Sequence, residues 1–169
     1  GRLFVRDLDP ALPIASARTM EDVVNTSVGS RRFTTTILAS FAGVAAWWDP
    51  EHTYSGDSKN LTLNLTPGGC FCERFPKTGG GVEHMRVTYL EPGKRIVFTG
   101  ALGPLLYEAT SGVMNVEVHS AAGGSQLILD YRAAGFFKDG ADKIATAVDG
   151  VLAEQMKRLR TYAAGRPRT

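Results

Sequence analysis

The sequence predicts an α+β fold: a strongly curved antiparallel sheet of about six or seven strands wrapped around one long C-terminal helix. Three observations predict it. Between residues 61 and 132, apolar residues recur with a period of two, in short runs separated by turn signals. After Asp139-Gly140 the period becomes that of a helix and holds for five or six turns. A shorter helical stretch precedes the sheet, so only the terminal helix is long enough to cover one sheet face. A curved sheet around a single helix leaves space between them, where a ligand could sit.

The elements follow in order. Residues 1–20 read as an N-terminal extension, 21–164 as a single domain, and 165–169 as a C-terminal tail. "EDVVNTSV" (21–28) reads as a strand. In "RRFTTTILASFAGVAAWW", Phe33, Ile37, Phe41, Val44 and Trp48 fall on one helical face, and three threonines make that helix dependent on tertiary packing. Asp49-Pro50 ends it, because the residue before proline disfavours helical backbone. "LTLNL", "CFCERF", "VEHMRVTYL", "RIVFTG", "GVMNVEVHS" and "QLILDYR" are six successive short strands. "PGG", a Gly-rich turn (79–81), "EPGK" and "AAGG" join several of them into a meander. In the terminal helix Ile144, Val148, Leu152, Met156 and Leu159 make one apolar stripe, widened by Val151 and Tyr162. Asp139 is the expected cap, and Gly150 in mid-helix suggests a close approach to the sheet.

Composition bounds the function. The chain has 169 residues, 43% of them hydrophobic, which suits one globular domain. A net charge of +2 is too small to imply nucleic acid, and the basic residues gather only near the C-terminal end (Lys157, Arg158, Arg160, Arg166, Arg168), where cations complement a helix dipole. No apolar run is long enough for a membrane span. The N-terminus is not an intact signal peptide, so the expected location is cytoplasmic, or periplasmic after loss of a leader. Cys70 and Cys72 are too few for a disulfide scaffold and, sharing one face of a strand, read as poorly placed to bridge each other.

Several stretches carry a resemblance. The order of elements, Trp-Trp after the first helix, Pro-Gly-Gly before a strand and the long last helix resemble the START-like (SRPBCC) helix-grip superfamily. That superfamily includes polyketide cyclases, the birch-pollen allergen and the activator domain of the ninety-kilodalton heat-shock chaperone's ATPase. "WWDPEHTYSGD", "LTPGGCFCE", "VEHMRV", "GALGPL" and "VDGVLAEQMKRL" are similar to stretches of bacterial polyketide-cyclase-like proteins. The resemblance implies binding of a small apolar or aromatic molecule between sheet and helix. Alternatives are a cyclase, dehydratase or hydrolase working in the same cavity, or a chaperone-interacting protein, because one fold hosts all three.

The candidate ligand-binding residues are Trp47, His52, Tyr54, Cys72, Glu73, His84, Tyr131, Val148 and Leu152. Trp47 and Trp48 lie a helical step apart, so Trp48 is expected to continue the core stripe and Trp47 to lean toward the cavity mouth. His52, Tyr54 and Ser55 follow in a loop, as binding groups or as a solvated turn. Strand alternation puts Cys70, Cys72 and Arg74 on one face and Phe71, Glu73 and Phe75 on the other. It likewise groups Val82, His84 and Arg86 against Glu83, Met85 and Val87, with Cys72 or Glu73 across from His84. Tyr131 shares a face with Leu127 and Leu129 and is a candidate polar handle. Acid–base chemistry would draw on His52, Glu73, His84 or Tyr131, and no catalytic set is assigned.

A thiolate nucleophile has no evident third partner. Cys70, Cys72, His52 and His84 would supply four zinc ligands on paper, but cysteines one residue apart on a strand are awkward chelators, so no metal is expected. "GALGPL" reads as a break in the sheet or a loop over the cavity. No helix opens after a glycine run, and no nucleotide or other cofactor is expected. The oligomeric state is left open.

Overall fold

The computed structural model describes residues 41, 43–121 and 124–164. The expected strand at 21–28, most of the expected first helix, the extension 1–20 and the tail 165–169 lie outside the described residues.

Six strands follow one another: β1 (Leu61–Leu63), β2 (Cys70–Phe75), β3 (Gly80–Glu91), β4 (Arg95–Gly100), β5 (Thr110–Ala121) and β6 (Gly124–Gly135). The helix Ala141–Ala164 follows them. Each strand pairs antiparallel with the next, so the sheet order is the chain order, the predicted meander. The period of two is explicit in β5, where Met114, Val116 and Val118 are buried while Val113 is exposed and Asn115 and Glu117 are half-buried. Two register shifts bend the sheet. β3 has one residue more than β2 between the Phe71–Met85 and Cys72–Glu83 pairs, and one more than β4 between Val87–Phe98 and Tyr89–Val97. An extra residue of this kind kinks a strand and raises its twist.

The concave side is filled from both layers. Leu152, Met156 and Leu159 of the helix join Phe71, Met85, Val87, Ile96, Phe98, Met114, Val116 and Leu129 of the sheet in one buried cluster. Each such side chain contributes roughly 1.5–3 kcal/mol by leaving water. Ile144, Val148 and Tyr162 pack against it half-buried. The stripe therefore faces the sheet, with an addition: Gln155 is fully buried within it. The helix begins at Ala141, and the Gly140 carbonyl accepts the first helical hydrogen bond from Ile144 N at 3.3 Å. Gly140 and not Asp139 thus holds the capping position. No helix among the described residues is long and apolar enough to cross a membrane.

Close approach requires several of the glycines, among them two that touch candidate site residues. A Cβ on Gly100 (φ +144°) would meet the His84 carbonyl oxygen at 2.8 Å, and one on Gly112 would meet the Tyr131 ring at 2.6 Å. Gly150 is different. It is exposed and has open space where a Cβ would stand, so no close approach explains it.

Two outcomes follow for the helix. Gly150→Ala should raise stability by up to about 1 kcal/mol, the usual helix-interior difference. Leu152 is 2% exposed, so Leu152→Ala should cost about 2–5 kcal/mol, the full range for a core truncation. Chemical denaturation of the two variants checks both.

Candidate functional site

The chain leaves its buried aromatic cluster through Asp49-Pro50. The backbone tightens into a 3-10 turn at Val44–Ala46, so Trp47 and Trp48 are not spaced as on an α-helix. Both rings are buried, with centroids 5.6 Å apart. Trp47 meets Phe41 edge-on, and Trp48 meets Phe71. The Trp48 indole N–H donates to the His52 carbonyl at 3.0 Å, which folds the following turn back over the ring.

Asp49 fixes that turn to the terminal helix. Its side chain accepts from Glu51 N at 3.2 Å, capping the turn Pro50–His52, in which proline occupies the first position. Its backbone N–H donates to Oε1 of the buried Gln155 at 2.8 Å. Its carboxylate also pairs with Arg158 at 3.2 Å and with His52 Nδ1 at 3.3 Å.

Glu73 fixes the next stretch to the sheet. Its side chain has no exposed surface, and its carboxylate accepts from three donors: Tyr54 N at 3.1 Å, Ser55 N at 2.5 Å and His84 Nε2 at 3.1 Å. Burial by itself would raise its pKa, but these hydrogen bonds outweigh burial and hold the carboxyl below the ordinary value of 4.5. His84 is the extra residue at the first register shift. The shift turns it inward beside Met85, so His84, Met85 and Val87 are all buried while Glu83 and Arg86 remain exposed. This corrects the expected grouping of Met85 and Val87 against His84, and it places Glu83, not His84, opposite Cys72. Burial is the larger influence on His84 and pushes its pKa below 6.5, against the opposing pull of Glu73. The ring is therefore neutral near pH 7. With Nε2–H donated to Glu73, Nδ1 is left as an acceptor.

His84 borders a cavity of about 290 Å³ at the end of the sheet. Trp48, Glu51, His52, Thr53 and Tyr54 form one side, Leu102, Gly103, Pro104 and Tyr107 another, and Val151 of the helix completes the lining. "GALGPL" thus ends β4 and enters a 3-10 turn, Gly103–Tyr107, beside the cavity. Tyr54 spans the two loops: its hydroxyl donates to the Gly103 carbonyl at 2.9 Å, its ring stacks on His84 at 5.8 Å, and Tyr107 meets it edge-on. Burial, reinforced by Tyr107, raises the Tyr54 pKa, so the phenol stays protonated.

The structure brings His52, Tyr54 and His84 to this cavity, with Glu73 directly behind His84. The others lie elsewhere. Trp48, not Trp47, borders the cavity, while Trp47 lines a small apolar void of about 30 Å³, which Trp48 also lines, and a shallow groove beside Arg158. Leu152 lines that small void, and Val148 packs half-buried on the core. Tyr131 is buried, and its hydroxyl accepts from Leu102 N at 3.2 Å, so it positions the start of a cavity loop. Burial raises its pKa too. Cys72 is on the opposite, outer face of β2, joined to Cys70 by a disulfide. Strand alternation predicts no such bridge. Two residues of regular strand advance roughly 6.4–6.8 Å, but here the Cα atoms are 5.4 Å apart, within disulfide range. The contraction lies at the register shift.

Asp49, Gln155, Trp48, Leu102, Tyr107 and Val151 are among the site residues not marked as candidates by the sequence. Gln155 had a detectable signal, since it lies three residues after Leu152 on the apolar stripe. Tyr107 had only its place after "GALGPL".

The pKa shifts fix a direction with pH. His84 is held below its ordinary value, so its contribution is complete above pH 6.5 and is lost as pH falls from there through its folded pKa. Glu73 adds a second loss below pH 4.5, as its depressed folded pKa is passed. Thermal midpoints should therefore fall on acidification, and Glu73→Gln should flatten the limb below pH 4.5. A wild-type midpoint that is level from pH 7 to 4 contradicts both assignments.

No protein-family model matches the sequence, and no curated protein matches it. Solved structures do match. A protein from Mesorhizobium loti superimposes with a TM-score of 0.54 at 13% identity, over 85% of this chain and 97% of its own. Ara h 8.0201 gives a TM-score of 0.55 at 12% identity, over 79% and 91%. DynU16, a protein of the dynemicin biosynthetic locus, gives 0.51 at 16% identity over 83% of this chain, which spans 45% of that one. Identities this low speak to the fold alone. The curved six-stranded antiparallel sheet followed by one long C-terminal helix is the helix-grip fold.

Proposed function

We propose that the chain binds a small aromatic molecule bearing a hydroxyl or N–H donor in the cavity beside His84. One observation carries this reading: a cavity walled by aromatic and apolar side chains receives a neutral imidazole whose tautomer is fixed by a buried carboxylate. Binding sites are commonly apolar with a few fixed polar groups, and about 290 Å³ is near the lower end of their ~300–1,000 Å³ range. The ligand's ring would lie among Trp48, Tyr54 and Tyr107, and its donor would reach His84 Nδ1.

The probe pair 2-naphthol and naphthalene tests this, because the two differ only in the donor. The expected result is that 2-naphthol raises the thermal midpoint and naphthalene does so less. Tyr107 is 78% exposed, so Tyr107→Ala should fold normally and weaken 2-naphthol about tenfold, or about 1.4 kcal/mol. Equal response to both probes, or to neither, overturns the reading.

A second reading rests on the same pair of residues. A carboxylate that orients a neutral imidazole is the arrangement a general base requires, and such bases contribute roughly 10²–10⁴-fold. His84 Nδ1 would take a proton from an acidic C–H of a bound ketone and return one to the carbon. The wild type should then speed deuterium uptake into an enolisable aryl ketone in heavy water, and His84→Gln should lose about 10²-fold or more. A wild type no faster than buffer excludes it.

A further inference from the structure

The outer face of the sheet carries a second cluster, on the side away from His84. Cys70 and Cys72 are half-buried there. Oε2 of the exposed Glu83 lies 3.8 Å from Cys70 Sγ. The two sulfurs and one Glu83 oxygen are all within 4.8 Å of one another. Glu83 does not hang free. Arg86 Nε donates to its Oε1 at 3.2 Å and Arg86 Nη2 to its Oε2, while Arg86 Nη1 donates to the Gly68 carbonyl at 2.7 Å. The guanidinium thus ties the carboxylate to the turn before β2 and holds it over the cysteines.

We propose that reduction of the Cys70–Cys72 disulfide opens a zinc site made of the two sulfurs and Glu83. A thiol reductant would supply two electrons and two protons, leaving its own sulfurs as a disulfide and the cysteines as thiols. Each thiol gives up its proton when the ion binds. On a tetrahedral zinc with bonds of about 2.3 Å to sulfur and about 2.0–2.2 Å to oxygen, ligand atoms stand roughly 3.5–3.8 Å apart. The Cys70–Glu83 separation already has that value, and the freed sulfurs reach it by side-chain rotation. The charges of two thiolates, one carboxylate, a divalent ion and the Arg86 guanidinium cancel. Thiolates favour zinc over magnesium or calcium, and three protein ligands leave a fourth position for water. His52 and His84 take no part, since they border the cavity on the other side of the sheet.

The test uses the full chain, reduced with a phosphine and titrated with zinc against a chromophoric chelator, with the oxidised chain as a control that needs no substitution. The expected result is one zinc per reduced chain, none in the oxidised chain, and affinity lowered about tenfold or more in Glu83→Gln, since loss of even an outer partner weakens metal sites 10–100-fold. Cobalt in place of zinc should show tetrahedral thiolate absorption in the reduced wild type. Zinc binding equal in the two redox forms overturns the proposal. So does binding that persists in the folded Cys70→Ser/Cys72→Ser chain, or an unchanged affinity in Glu83→Gln.

Discussion

The carboxylate of Glu73 lies on the concave face of the sheet with no side-chain surface exposed, where an unpaired charge would cost several kcal/mol. It is tolerated because every donor around it is fixed. Two are consecutive backbone amides of the loop after the tryptophans, and the third is a ring nitrogen from the neighbouring strand. The loop at 53–56 therefore cannot move away without stranding a buried charge. The imidazole cannot turn without losing its partner. One desolvated group thus sets the position of a loop, the tautomer of a histidine and the floor of the cavity.

A second anchor acts on the same loop from the opposite layer. Asp49 joins the Pro50–His52 turn to Gln155 and Arg158 of the terminal helix, while Glu73 joins the next residues to β2 and β3. The segment 49–55 thus bridges helix and sheet by polar contacts at the end where apolar packing stops. This explains where the space is. The middle of the helix is packed, with a small void of about 30 Å³ beside Leu152 among the described residues. The larger cavity opens where the bridging loop and the 3-10 turn at Gly103–Tyr107 hold the layers apart.

Strand β2 serves two environments because its side chains alternate. Phe71 and Glu73 point into the core and toward the cavity, and Cys70 and Cys72 point outward. The register shift against β3 acts on both faces at once. Inside, it turns His84 toward Glu73; outside, it brings Glu83 opposite Cys72. The two clusters are back to back yet share no side chain.

Much of the fold was legible in the sequence. The six strands, their meander order and the terminal helix with its apolar stripe follow from periods of two and 3.6, which depend on backbone geometry and the solvent preference of each residue. The inward face of β2 was legible for the same reason, and so was the candidacy of His52, Tyr54, Glu73 and His84 as polar groups near an aromatic corner. What only the tertiary structure decided begins at the extra residue in β3. One added residue reverses the facing of those that follow, here until the second shift between Val87 and Tyr89, and no local propensity marks it. It put Met85 beside His84, Glu83 across from Cys72 and the cysteines within bridging distance. The burial of Gln155 and the exchange of roles between Trp47 and Trp48 were equally hidden. The buried Gln155 Oε1 accepts from the backbone N–H of Asp49, 106 residues away, and no local pattern marks a partner so distant in sequence.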